Sequence, residues 1–139
     1  ELVRRPVNEF VASFFGSETI LTGTVKEKFN GSFSVAAGGR EVEVAGEAAP
    51  GSEVTFSVRP ESIILSREEG AATSARNRFP GRVARIIPAG FYQKVHVDCG
   101  IPLVSYITNH SMGEMALREG DRVYASFKST AVHVLRVRG

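Results

Sequence analysis

Three polar blocks in the second half of the chain carry residue types that could bind an anion. They offer hydroxyl groups, successive main-chain N–H groups, a guanidinium and an ammonium, and they comprise Ser74, Ala75, Arg76 and Asn77, then Thr108 and Ser111, then Lys128 and Ser129. A tetrahedral dianion needs many donors and some positive charge, and it needs no acceptors. The blocks therefore predict an oxyanion site, although solvated surface cations would look the same in sequence.

Motifs for other chemistry are missing from the sequence. It contains no Gly-x-x-x-x-Gly-Lys-Ser/Thr phosphate loop and no Gly-x-Ser-x-Gly elbow. His96 and Cys99 stand three residues apart, but no other histidine follows at a metal-ligand spacing. We therefore expect no catalytic residues, no metal site, no cofactor, and no ATP hydrolysis through a phosphate loop.

Charge and composition narrow the class of protein further. The chain has 139 residues and a net charge of +2, and 42% of its residues are hydrophobic. Residues 1–70 carry a balance of −4 and residues 71–139 a balance of +6, which favours an anionic partner for the second half. An uneven distribution of solvated surface charges would give the same charge balances. A single cysteine, Cys99, excludes an internal disulfide and fits a reducing compartment.

No targeting or membrane-spanning segment is visible. The sequence begins Glu1-Leu2-Val3-Arg4-Arg5 without an apolar stretch behind its charges. No apolar run approaches the roughly 18 residues that a membrane-spanning helix needs. Because the first residue is not Met, we expect a piece of a longer chain.

The elements that must position these blocks are mostly strands. Residues 6–16 have the apolar spacing of a short helix, with Pro6 at its start and Gly16 after it. Short alternating runs separated by Gly, Pro and Asn follow, which indicates strands and turns. One helical turn is predicted within residues 108–117. Residues 67–73 are polar or small and are predicted to be a linker.

The two halves resemble each other in sequence. Residues 51–59 match residues 120–128 in spacing and chemistry, and Arg59 takes the position of Lys128. Such self-similarity predicts a duplication. The fold class is therefore predicted to be all-β with a short N-terminal helix, made of two tandem OB-like or Mop-like small β-barrel units.

The second half resembles the molybdate/tungstate-binding family that includes the molbindins and the effector domain of the molybdate-responsive regulator. The similarity spans about residues 73–138. Four blocks stand in the family's order and approximate spacing, at residues 74–83, 107–111, 117–120 and 127–132.

The first half resembles the tail of an importer ATPase. Residues 6–16 are similar to the segment that leaves the nucleotide-binding domain, and residues 58–65 are similar to the signature strand of the transport-associated OB (TOBE) domain. This divides the chain into a TOBE-like domain with its helix at residues 1–66, a linker at 67–73 and a Mop-like oxyanion-binding barrel at 74–139. Together they resemble the C-terminal regulatory region of a molybdate/tungstate importer's ATP-binding subunit.

This resemblance implies roles for particular residues. In the family, the Ser-Ala-Arg block and the lysine with its following residue contact the oxyanion from one subunit, while the threonine and serine reach it from a neighbour. Here these are Ser74, Ala75, Arg76, Lys128 and Ser129, with Thr108 and Ser111 from the partner chain. Asn77, which follows Arg76 in the same block, is also predicted to bind the oxyanion. Ser129 stands where many relatives have alanine. Nothing in the first half resembles the Ser-Ala-Arg-Asn block, so one type of site is expected.

The resemblance also implies partners and a location. We expect molybdate or tungstate as the ligand, a homodimer through the regulatory domain, feedback inhibition of uptake, and no nucleic acid. The parent chain would be an ABC-type ATPase working with transmembrane permease subunits and a substrate-binding protein. It would be cytoplasmic and peripheral on the inner face of the cell membrane.

Two other functions stay open at this point. The chain could be a structural region of an importer for sulfate, iron or a sugar. It could also be an OB-type nucleic-acid-binding protein, because its pI is near 9.0 and four arginines lie between residues 76 and 85. The alternation of Phe79 with Val83 on one face argues against exposed aromatic rings for base stacking.

Overall fold

The computed structural model describes residues 19–68 and 75–139, and most of them lie in ten strands. The strands are β1 (Thr19–Lys28), β2 (Ser32–Ala37), β3 (Arg40–Ala45), β4 (Glu53–Val58), β5 (Ile64–Ser66), β6 (Asn77–Pro88), β7 (Tyr92–Asp98), β8 (Pro102–Thr108), β9 (Arg122–Phe127) and β10 (Val132–Arg138). One helix, α1 (Asn109–Met115), follows β8, and two 3₁₀ turns, Pro60–Ser62 and Ser129–Ala131, follow β4 and β9.

The prediction of a mostly β protein is confirmed. The helical turn expected within residues 108–117 is present as α1. The short N-terminal helix expected at residues 6–16 lies outside the described residues. The division into two OB-like or Mop-like barrel units stays a prediction.

The strands form two antiparallel five-stranded sheets that exchange their outer strands. The first has the order β10-β4-β1-β2-β3 and the second the order β5-β9-β6-β7-β8. Strand β10 pairs with β4 through Val132 and Val58, and β5 pairs with β9 through Ile64 and Ser126. Each sheet thus contains a strand from the other half of the chain. The division at residues 66–74 stays a prediction about domains, and the sheets do not follow it.

The two sheets repeat each other in local detail. Strands β1 and β6 both carry a bulge, which follows Val25 in one and Val83 in the other. The Val25 N–H donates to the Ser52 carbonyl at 2.8 Å, and the Val83 N–H donates to the Asp121 carbonyl at 2.8 Å. The sequence similarity between the halves therefore coincides with the same bulge held by the same kind of main-chain contact.

A glycine before each bulge permits a close approach of the neighbouring strand. A Cβ atom at Gly23 would overlap the Ala36 carbonyl of β2. A Cβ atom at Gly81 would meet the Asp98 carbonyl oxygen and the Cys99 sulfur, both at 2.6 Å. Only glycine fits there without displacing main chain.

The core is one cluster of buried apolar side chains from both sheets, in which Phe33, Phe56 and Phe127 are at most 1% exposed. A polar contact also joins the sheets, since Arg40 Nε of β3 donates to the Cys99 carbonyl, directly after β7, at 2.7 Å. Within the second sheet, the buried Ser105 hydroxyl of β8 donates to the Ile63 carbonyl, directly before β5, at 2.6 Å. The two sheets therefore share one core.

Candidate functional site

An open pocket of about 440 Å³ lies where the two 3₁₀ turns approach each other. Ala75 and Lys128, both predicted site residues, line it. The other lining residues are Glu61, Ser62, Ile64, Phe127, Thr130 and Ala131. The first turn belongs to one half of the chain and the second turn to the other, so the exchange of strands builds this pocket.

Lys128 is positioned by the end of β9. Its backbone is extended (φ −79°, ψ 153°), and its carbonyl accepts from the Ala131 N–H at 2.9 Å, which closes the second 3₁₀ turn. The pairing of β6 with β9 aligns Asn77 with Phe127. Because antiparallel partners run in opposite directions, the next residues, Arg76 and Lys128, emerge side by side. Both side chains are exposed, and each brings a positive charge.

The Asn77 side chain does not line this pocket and is only 2% exposed. Its amide oxygen accepts from the Glu43 N–H at 2.7 Å, and its amide nitrogen donates to the Glu43 carbonyl at 2.9 Å. The amide thus pairs with β3 as a peptide group would. The side chain therefore joins the two sheets, and a contact of Asn77 with the oxyanion stays a prediction.

Thr108 and Ser111 lie at the start of α1 and do not line the pocket. Thr108 is the N-cap residue, and its hydroxyl oxygen accepts from the Ser111 N–H at 3.2 Å. Such a cap satisfies one of the free N–H groups in the first turn of a helix. Thr108 is exposed and Ser111 is half-buried. One chain therefore does not bring these hydroxyls together with Lys128 in the pocket.

Two predicted site residues remain, Ser129 and Ser74. Ser129 begins the second 3₁₀ turn and is half-buried beside the pocket-lining residues. Ser74 lies outside the described residues, so its role stays a prediction.

Sequence reasoning missed the residues of the first 3₁₀ turn. Ser62 adds a hydroxyl to the pocket, and Glu61 adds an exposed carboxylate that would repel an anion from that side. The repeat contained a usable signal, because residues 60–62 correspond to residues 129–131. The sequence does not show that the two 3₁₀ turns lie close together, which follows from the pairing of β5 with β9.

A larger groove of about 630 Å³ lies elsewhere, along β6, β7 and β8, and holds none of the predicted site residues. Arg85, Lys94 and His96 are among the residues that line it. Burial and the charges of Arg85 and Lys94 lower the pKa of His96. Its imidazole is therefore neutral at neutral pH.

Metal ligands do not gather in the described part of the chain, where no group of three His, Cys, Asp or Glu side chains could hold an ion. Burial raises the pKa of Cys99 to about 11, which keeps its thiol protonated at neutral pH. Among residues 19–68 and 75–139, no helix is long and apolar enough to cross a membrane.

Comparison with known proteins adds to what the fold shows. Residues 73–134 match the family model described as the TOBE domain. This match falls on the second half of the chain. The TOBE-like assignment of residues 1–66 stays a prediction.

Named relatives specify the class of protein. The chain is 38% identical over 135 residues, 96% of its length, to the molybdate/tungstate import ATP-binding protein WtpC of Pyrococcus horikoshii. It is 36% identical over 108 residues, 70% of its length, to the spermidine/putrescine import ATP-binding protein PotA of Treponema pallidum. It spans 37% of the first protein and 28% of the second. The chain is thus related to one region of importer ATP-binding subunits.

A solved structure shares the fold. The cytoplasmic molybdate-binding protein ModG, in a form with molybdate bound, superimposes with a TM-score of 0.74. The similarity covers 84% of this chain and 94% of that one, at 22% sequence identity. At this identity, the match establishes a common architecture.

Proposed function

We propose that this chain is a regulatory region of a molybdate/tungstate importer's ATP-binding subunit, and that it binds the oxyanion between two copies. The observation that carries the proposal is that Ala75 and Lys128 line one pocket. Thr108 and Ser111, the other predicted donors, lie at the start of α1. The site is then half a pocket per chain, and a second copy completes it.

The chemistry of the pocket supports an oxyanion. Lys128 and Arg76 supply positive charge, and Ser62, Thr130 and Ser129 add hydroxyl donors in or beside the pocket. Charged donors and hydroxyls bind a tetrahedral dianion without needing any acceptor. The names of WtpC and ModG agree with molybdate or tungstate as that dianion.

Binding of an anion between two copies would couple ligand binding to the arrangement of the two chains. An anion held by two chains stabilises the arrangement in which both contact it, by its differential affinity for that state. High cytoplasmic oxyanion would thereby hold the transporter in an inactive form, together with its permease subunits. This feedback is tested in the assembled transporter, where tungstate should slow ATP hydrolysis and Lys128→Ala should abolish the slowing. Equal slowing in the variant would contradict the feedback role.

The first test is calorimetric titration of the 139-residue chain with tungstate, molybdate and sulfate. Lys128→Ala removes a charged donor worth about 1.5–3 kcal/mol, so tungstate should bind about 10- to 100-fold more weakly. Arg59→Ala is the matched control, because Arg59 precedes the first 3₁₀ turn in a similar backbone conformation. Unchanged affinity in Lys128→Ala would remove Lys128 from the site.

The sharing of the site between copies is tested by mixed pairs. Ser111→Asp places a carboxylate where the partner's anion should lie, while the first turn of a helix tolerates negative charge. Each variant alone, Lys128→Ala or Ser111→Asp, should bind tungstate poorly. A mixed dimer of one Lys128→Ala chain and one Ser111→Asp chain, purified through two different tags, has one intact site. That site combines Lys128 of one chain with Ser111 of the other, and it should regain tight binding. Failure of the pair to regain it would argue for a site within one chain.

The second candidate is a structural region of an importer for another substrate. The match to PotA favours it, because that relative is named for spermidine and putrescine import. In that case no oxyanion binds, and the titrations with molybdate, tungstate and sulfate give no heat. Binding of tungstate by the wild-type chain, with loss in Lys128→Ala, would exclude this candidate.

A further inference from the structure

Phe91 is the most exposed large apolar side chain among the described residues, with 94% of its surface open to water. It stands at the tip of the β6–β7 hairpin, directly before Tyr92. The corresponding β1–β2 hairpin carries Phe29, which is 45% exposed. Exposing a phenyl ring costs free energy that burial would recover, so Phe91 is available for a contact outside this chain.

The main chain holds this hairpin tip against α1. Asn109 donates twice, from its N–H to the Phe91 carbonyl at 3.4 Å and from its side-chain amide to the Gly90 carbonyl at 2.9 Å. Gln93 also donates to the Asn109 side chain at 3.3 Å. Asn109 lies between Thr108 and Ser111, so these hydrogen bonds connect the hairpin tip that carries Phe91 to the two hydroxyls.

A receiving surface exists beside the oxyanion donors. Ile64 lines the pocket of Ala75 and Lys128 and is 62% exposed, and Ala131 lines it as well. A cavity of about 150 Å³ is enough for a benzene ring, while this pocket measures about 440 Å³. It therefore has room for a phenyl ring next to a tetrahedral anion.

We propose that Phe91 of one copy packs into the pocket of the partner copy, against the partner's Ile64, and closes that pocket over the oxyanion. The inference rests on the proposed function, because the second copy must present Thr108 and Ser111 at the same pocket. The ring removes apolar surface of both chains from water. It also excludes water from the anion, which strengthens the attraction of Lys128 for it.

The matched pair Phe91→Ala and Phe29→Ala tests this inference. Phe91→Ala should weaken tungstate binding, and the tungstate-dependent association seen by sedimentation, by about 10- to 100-fold. Phe29→Ala should change neither. Phe91→Ala should melt as the wild-type chain does when tungstate is absent and the chain is dilute, since its side chain is exposed. Phe29→Ala should melt slightly lower, since more than half of that side chain is buried. Phe91→Leu, which keeps an apolar side chain, should recover part of the loss.

A mixed pair decides whether Phe91 acts on its own pocket or on the partner's. One chain carries Phe91→Ala and the other carries Lys128→Ala, and two tags purify the pair. If Phe91 acts on the partner, the chain with Phe91→Ala has an intact pocket that receives an intact ring, so one tight site returns. If Phe91 acts within its own chain, both sites stay weak and the inference is overturned.

Failure of this inference is distinguishable from failure of the proposed function. Absence of tungstate binding by the wild-type chain would overturn the function, and the inference with it. Normal binding by both the wild-type chain and Phe91→Ala would overturn only the role of Phe91. In that outcome, Lys128→Ala should still bind weakly.

Discussion

The described residues of the predicted oxyanion block, residues 75–77, have two different positions in the structure. Ala75 lines the pocket and Arg76 emerges beside Lys128, while the Asn77 side chain joins β6 to β3 through Glu43. A ligand role for Asn77 would therefore involve its main chain. Its side chain contributes to stability and to the placement of the residues that precede it.

Replacement of Asn77 by alanine should destabilise the chain. The change removes two hydrogen bonds from the Glu43 main chain and leaves a gap at a site that is 2% exposed. We expect a loss of about 1–3 kcal/mol in the free energy of unfolding, measured by urea denaturation. Asn30→Ala, at an exposed turn, is the control and should stay within about 0.5 kcal/mol. Equal effects of the two changes would contradict the structural role of Asn77.

At the scale of elements, α1 carries the predicted partner-chain hydroxyls but is a poor helix by itself. It has only seven residues, with Gly113 in its interior. It ends at Ala116, which has the left-handed conformation (φ 51°, ψ 46°). That conformation suits glycine, while glycine inside a helix costs stability relative to alanine. Its Thr108 cap and its contacts with β7 and β8 hold the helix in place.

Two substitutions, alanine to glycine at position 116 and glycine to alanine at position 113, should each stabilise α1. Ala116→Gly relieves the left-handed residue, and Gly113→Ala, whose Cβ would meet nothing within 4 Å, favours the helix. Each change should raise the free energy of unfolding by about 0.5–1 kcal/mol in urea denaturation. Loss of stability in Gly113→Ala would show that the space beside this glycine is needed.

At the scale of the whole molecule, the exchange of strands makes the two halves interdependent. Strand β10 completes the first sheet and β5 completes the second. Directly after β5, Arg67 donates to the Met115 carbonyl at 2.8 Å and to the Asp121 carboxylate at 2.7 Å. The hydrogen bond from Arg67 lowers the pKa of Asp121. The pocket lies where these exchanged segments meet, so its geometry depends on both halves.

Cleavage of the chain between the halves should leave them associated. A protease site introduced between Gly70 and Ala71 would separate residues 1–70 from residues 71–139. The strand exchange and the shared core should still hold the pieces together, so they should elute as one species under native conditions and separate only in denaturant. A cleaved variant that ends at Ala131 lacks β10 and should hold together less well. Separation of the full-length pieces in native buffer would contradict the exchange.

The sequence by itself predicted the strands and a set of residues for the site. Alternation of apolar and polar residues is a local consequence of one buried sheet face, so the presence of short strands was predictable. The donors Ala75, Arg76 and Lys128 were predicted from residue types and from the family resemblance. The tertiary structure alone decided that β5 and β10 cross between sheets, that Asn77 binds Glu43, and that Ser62 joins the pocket of Lys128. These contacts join residues far apart in the chain, and local periodicity carries no information about which distant partner a strand or side chain will meet.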